Sequence, residues 1–146
     1  MNAKIVIIVG CIVLIVFSIY FYRKHPLSAS VTIHNTVFTV DLAVTNDEKT
    51  RGLSYRKFLK PKSGMLFLYD HKEIFPFWMQ GMQFPLDFIW ISDNVVVDIT
   101  TNVPPATATT MHVVRPTVAV NKILEINAGE ADLYGIQIGD SVTWNK

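Results

Sequence analysis

The sequence predicts a mainly β domain, a β-rich α+β fold. It is a small antiparallel barrel or a pair of packed sheets with one or two short helices, preceded by one N-terminal transmembrane helix. Three observations carry this prediction. The eighteen residues from Ile5 to Tyr22 hold no charge. Beyond Pro26, apolar and polar residues alternate in short β-branched runs separated by turn residues. Helix-like stretches are few and short, and no strand-helix-strand rhythm is visible.

The first element is the membrane segment. At about 1.5 Å rise per residue, residues 5–22 cover most of a roughly 30 Å hydrocarbon core. Tyr20, Tyr22, Arg23, Lys24 and His25 follow as an interfacial flank. A cleaved secretory signal has an apolar region of about 7–15 residues with a small-residue cut site after it. Here the run is longer, and "SAS" at Ser28 to Ser30 lies well past it. Ile8-Val9-Gly10-Cys11 has the look of a lipid-attachment site, but only six apolar residues precede Cys11 and eleven follow. Residues 1–25 therefore read as a retained anchor, 26–30 as a linker and 31–146 as the globular domain. Cys11 is the single cysteine, so the globular part holds no disulfide, thiolate nucleophile or cysteine metal site.

In the globular part, "VTIHNTVFTVDLAV" reads as a hairpin, Val31 to His34 then Val37 to Val44, turning at Asn35. Thr45 with Glu48 three positions on is a capping box, so a short helix starts there. Gly52 and "KPKSG" stop it. Met65 to Tyr69 is a short buried strand and "DHKE" a polar turn. "FPFWM" is extended, because a residue before proline avoids the helical region. Leu86 to Ile91, "SDN" and Val95 to Thr100 form the clearest hairpin, with Asn94 suited to a left-handed turn conformation. "NVPPATATT" is a loop, and "VAVNKILEIN" a strand region. "NAGEADLYG" gives one or two helical turns, with Asn127 capping and Gly135 stopping. "IGDSVTW" is a last turn and strand.

Net charge is +1, too small for nucleic-acid binding, but it is unevenly placed. Six cations and no acid lie between Lys49 and Lys62. Such a segment is either a solvated face or a surface for anionic lipid headgroups. Phosphate-loop, serine-hydrolase, zinc-protease, EF-hand and dinucleotide fingerprints are all missing. Among the acids, Asp98 and Glu125 alternate with apolar neighbours as outward strand positions do, and Asp140 sits in a Gly-Asp turn. Asp87 is the one charge in "FWMQGMQFPLDFIW" and is either a structural hub or a functional group. Trp90 shares a core face with Leu86 and Phe88. Trp78, beside Gln80 and Gln83, suits an edge or groove. Met79 and Met82, with Met65, His71, Met111 and His112, are soft or borderline ligands of the kind that hold Cu(I). Methionine filling core gaps is the plainer reading, and no cofactor is expected.

The order of the pieces resembles a known family. "RGLSYRKFL" (Arg51 to Leu59), "GMLFLY" (Gly64 to Tyr69), "FWM" (Phe77 to Met79), "PLDFIWI" (Pro85 to Ile91), "VPP" (Val103 to Pro105), "ILEINAG" (Ile123 to Gly129) and "GIQIGDSV" (Gly135 to Val142) match the domain of unknown function 192, or UPF0127, family over residues 37–143. The resemblance implies a compact, mainly β domain, mostly bacterial or archaeal, and often led by a signal or membrane segment. It implies no reaction and no catalytic residues. The chain departs from the family pattern at Gln80, Gly81 and Met82, where a polar residue and a threonine are usual, and at Ala106, where a cysteine is common.

The expected function is a membrane-anchored, non-catalytic binding or interaction domain. Cations on both sides of the span lean weakly toward a cytoplasmic domain, but the family's frequent signal segment favours an extracytoplasmic one. The partner would be a protein or glycan, met at Trp78, Gln80, Asp87, Pro104 and Pro105. Two alternatives stand beside it. One is an enzyme acting on envelope polysaccharide, with Asp87 as a catalytic carboxylate and Asp140 or Glu125 as its partner. The other is a Cu(I) carrier using Met79, Met82 and His112.

Overall fold

The structure, a computed structural model, describes residues 8, 10–16 and 28–146. The expected span over residues 5–22 lies largely outside them. Among the described residues, no helix is long and apolar enough to cross a membrane.

The domain begins with β1 (Ser28–Ile33), which turns through His34 and Asn35 into β2 (Thr36–Ala43). Both turn residues have positive φ, as a two-residue hairpin turn with the right twist requires. The sheet starts earlier than the expected Val31, because Ser28 already pairs with Asp41. Thr45 then caps α1 (Asn46–Arg51) with both halves of the capping box present.

After α1 the chain returns to the start of β3 (Ser63–Glu73), which pairs parallel to β2. An all-antiparallel sheet was expected. The parallel pair went unseen because its crossover holds only one six-residue helix and an irregular stretch, leaving no helical periodicity to read. The expected "DHKE" turn is likewise strand. Asp70 to Glu73 are exposed and hence polar, yet Glu73 still pairs with Val120.

Beyond β4 (Phe77–Trp78) come β5 (Leu86–Ser92), β6 (Val95–Val103), β7 (Val113–Val114), β8 (Val120–Asn127), α2 (Glu130–Leu133) and β9 (Val142–Asn145). Seven strands form one sheet in the order β6-β5-β8-β3-β2-β1-β9, and β4 with β7 forms a small second sheet. The large sheet curls until its edges meet at one end. Val95 bridges to Ser141, the Val96 N–H donates to Asp140 O at 2.9 Å, and the Gly139 N–H donates to Val96 O at 2.8 Å. The result is a half-barrel, which removes part of both open edges. In the β5–β6 turn it is Asp93, not Asn94, that takes positive φ.

Side-chain alternation divides the core into two layers. Val31, Ile33, Phe38, Val40, Leu66, Ile89, Ile91, Val96, Leu124 and Ile126 fill the inside of the curl. Met65, Phe67, Leu86, Phe88, Trp90 and Ile123 point the other way, under Leu53, Phe77 and Met79. Strands β3, β5 and β8 are thus covered on both faces, which explains their nearly continuous apolar runs. Trp90 is fully buried, and its indole N–H donates to Thr100 Oγ1 at 2.9 Å.

Candidate functional site

The outer core layer opens beside α1. The capping box fixes where that helix starts, and Gly52 ends it with φ 49°, its N–H donating to Glu48 O at 2.8 Å. The chain then presses Leu53 into the core and is pinned to the stretch after β4. Ser54 Oγ donates to Gln80 O at 2.9 Å, and the Tyr55 N–H donates to Gly81 O at 2.8 Å. Gly81 has φ +74°, and a Cβ there would lie 3.2 Å from Ser54 and the Tyr55 ring. This is the physical reason for glycine within "FWMQGMQF".

Between α1, the end of β3, β4 and β8 lies a cavity of about 220 Å³. Phe67, Tyr69, Phe77, Trp78 and Met82 supply apolar and aromatic walls, while Lys49, Arg51, Ser54 and Glu125 supply the polar groups. Phe67 and Phe77 meet edge to face at 4.9 Å, and Tyr69 stacks on Phe75 at 3.7 Å. The Lys49 ammonium sits 4.1 Å from the centre of the Tyr69 ring. Trp78 is 44% exposed at the mouth, and with Gln80 and Tyr55 it also lines an adjoining recess.

Glu125 forms the buried end of this cavity. It stands opposite Met65 on β3 and Phe88 on β5, so apolar side chains flank it across both neighbouring strands. It is 5% exposed, and its Oε2 has no hydrogen-bond partner. A Cβ on Gly52 would lie 4.0 Å from that oxygen, so the end of α1 packs close against the carboxyl. Burial pushes the Glu125 carboxyl up to about 8, with the Arg56 charge opposing only in part. Arg56 is itself held by Asp41 Oδ2 at 2.7 Å. Burial and the Glu125 charge together raise the Tyr69 phenol to about 12.

The expectation for Glu125 is therefore corrected: it is not an outward strand residue. The signal lay in its neighbours. Ile123, Leu124 and Ile126 are all buried, so this strand has no solvent face for Glu125 to occupy.

Asp87 is fully buried and points to the opposite side of the sheet. It pairs with Ile126 and precedes Phe88, the partner of Glu125, so strand parity separates the two carboxylates. The β5–β6 register shifts at this point, and the Asn102 N–H donates to Asp87 Oδ1 at 2.7 Å. The Ala131 N–H at the start of α2 donates to Oδ2 at 3.0 Å. Asp87 thus satisfies a bulge and a helix end and is the hub of this corner. The cap expected from Asn127 comes from Asp87 instead. Asn127 turns its amide to Leu59 O and Lys60 O.

Asp140 accepts from the Gln137 N–H at 2.8 Å and lies 3.5 Å from His34. It shares no hydrogen bond with Asp87 or Glu125, the partners expected of it in a glycosidase. Asp98 is also engaged, accepting from Ile99 and from both donors of Thr117.

Trp78 and Gln80 line one recess, and the proline loop lies close by. The Ala106 N–H, one residue past Pro105, donates to Met79 O at 3.2 Å. Pro104 is exposed and Pro105 half-buried. Asp87 is not part of this surface. Met79 is fully buried and Met82 packs on the same core layer, while the Met79 N–H donates to His112 O at 3.1 Å.

A family model described as "Uncharacterized ACR", domain of unknown function 192, matches residues 29–144. The chain belongs to the DUF192 family. No curated protein matches this DUF192 chain. Two solved structures resemble it. A candidate transcription regulator from Sinorhizobium meliloti 1021 is 28% identical with a TM-score of 0.75, the match covering 82% of this chain and 95% of that one. A protein of unknown function from Novosphingobium aromaticivorans DSM 12444 is 33% identical with a TM-score of 0.72, covering 81% and 84%. The half-barrel is thus a fold this DUF192 domain shares with both.

Proposed function

We propose that this DUF192 chain is a membrane-anchored, extracytoplasmic binding domain that takes a small ligand into the cavity beside α1. One observation carries the binding reading. Glu125, a buried acid with one carboxyl oxygen unpaired, lines an open, aromatic-walled space. Leaving a buried polar atom unpaired costs about 1–3 kcal/mol, which a ligand group recovers on binding. Aromatic walls with a few placed polar groups are the usual make-up of small-molecule sites.

Placement at a membrane is supported by where the chain enters the domain. Ser28 pairs with Asp41, and Asp41 holds Arg56, so the basic segment from Lys49 to Lys62 flanks the entry point. Tyr55 and Phe58 stand exposed within that segment. Residues between Tyr22 and Ser28 reach at most about 3.3–3.6 Å each, which keeps this end near the headgroups of a bilayer that holds residues 5–22.

Two measurements test the proposal. Protease added to intact cells digests an extracytoplasmic domain, whereas full protection contradicts that placement. A small-fragment library added to the full-length protein in detergent micelles should shift NMR signals of Glu125, Tyr69 and Trp78 together. Shifts confined to other residues, or none, would contradict the cavity reading.

A further inference from the structure

The cavity has cations along one side and an acid at its buried end. Lys49 and Arg51 sit on α1 at its side, and Glu125 closes its buried end. Among the described residues, no cation lies within ion-pair distance of Glu125. Arg56, the charge that acts on it, is committed to Asp41. The Glu125 carboxyl therefore has neither a hydrogen-bond donor on Oε2 nor a counterion.

The walls favour a cation as well. Aromatic faces attract ammonium and guanidinium groups, by about 2 kcal/mol where water is excluded. Phe67, Tyr69, Phe77 and Trp78 surround the space, and the Lys49 ammonium over Tyr69 already makes such a contact. A purely cationic ligand would meet Lys49 and Arg51 unfavourably, and a purely anionic one would bring no donor to Glu125 Oε2. A ligand with both charges answers both ends.

We propose that the cavity receives a small zwitterion, its ammonium seated against Glu125 among the aromatic rings and its carboxylate held by Lys49 and Arg51. This rests on the cavity being a ligand site. Near neutral pH the Glu125 carboxyl is largely protonated, so seating an ammonium ionises it. The carboxyl proton passes to the buffer, and the ligand keeps all of its own protons.

The test uses the full-length protein in detergent micelles and isothermal titration calorimetry at pH 7. The probes are 4-aminobutyrate, 6-aminohexanoate, hexanoate, hexylamine and 6-hydroxyhexanoate. Repeating each titration in buffers of different ionisation enthalpy counts the protons released. At least one amino acid should bind roughly tenfold tighter than any single-charge or hydroxyl analogue, with release of up to about one proton. Glu125→Gln keeps the size and polarity of the group and should lose both the tenfold preference and the proton release. Lys49→Met leaves the buried end intact and should weaken the amino acid and hexanoate but not hexylamine. Equal binding of 6-hydroxyhexanoate, or an unchanged Glu125→Gln variant, would overturn the zwitterion proposal while leaving the cavity as a neutral-ligand site. Binding of no probe, with fragments still shifting Glu125, Tyr69 and Trp78, would also overturn the ligand class alone. Loss of both signals would overturn the cavity reading too.

Discussion

Replacing Asp87 with Ala separates a structural carboxylate from a functional one. The side chain accepts two backbone N–H groups, from Asn102 at 2.7 Å and Ala131 at 3.0 Å, in a fully buried position. Each donor left without an acceptor costs about 1–3 kcal/mol, so the pair is worth about 2–6 kcal/mol. Removing the desolvated carboxylate offsets part of this, and a loss of about 3–4 kcal/mol is expected. Asp87→Asn keeps one acceptor but turns an amide N–H toward a backbone donor, so its loss should be about half as large. Urea unfolding of the full-length protein in micelles, followed by tryptophan fluorescence, measures both from the midpoint shift at constant slope. If the Ala variant loses less than about 1 kcal/mol, the two hydrogen bonds do not hold this corner and the hub assignment fails. If stability is kept while ligand binding is lost, Asp87 is a binding residue and the parity argument is wrong.

Three further outcomes follow from the site. The Glu125 carboxyl is raised from 4.5 to about 8 by burial, so its contribution to stability is full below about pH 4.5 and is lost as pH rises to about 8. The complete loss is on the order of 5 kcal/mol, and Glu125→Gln, which does not titrate, should gain on the wild type by that order between about pH 5 and pH 9; parallel stability curves would exclude the shifted carboxyl. Gly81→Ala forces a Cβ against Ser54 and Tyr55 at positive φ and should cost about 1–2 kcal/mol by the same urea assay; an unchanged midpoint would show that the pinned loop has slack. Gly64→Ala drives a Cβ into the Glu125 carbonyl and should cost more than Gly81→Ala, by about 1–3 kcal/mol; the reverse order would contradict close β3–β8 packing.

Much of the fold was legible because its signals are local. The Thr45–Glu48 capping box, the hairpin at Asn35 and the alternation of Leu86, Phe88 and Trp90 each depend on residues a few positions apart. The parallel β2–β3 pair depends on what α1 and the stretch after it do in space, and no short pattern records that. The site was only half legible. Trp78 and Gln80 declared themselves as an aromatic and an amide beside turn residues. Asp87 drew attention as a lone charge, yet its partners are backbone N–H groups from two distant elements. Glu125 was misread because alternation is a rule for strands with one wet face, and β8 has none. Its role emerges only when Gly52, Phe67 and Trp78, from three other parts of the chain, are brought around it.

Glu125 is an acid with an unpaired carboxyl oxygen at the buried end of an open cavity. Its side-chain carboxyl ¹³C shift, followed by NMR from about pH 4 to pH 10, reads that state directly. A midpoint near 8 that falls when 6-aminohexanoate is added is the predicted result. A midpoint in the ordinary glutamate range, about 4.3, with no response to the amine, would contradict it.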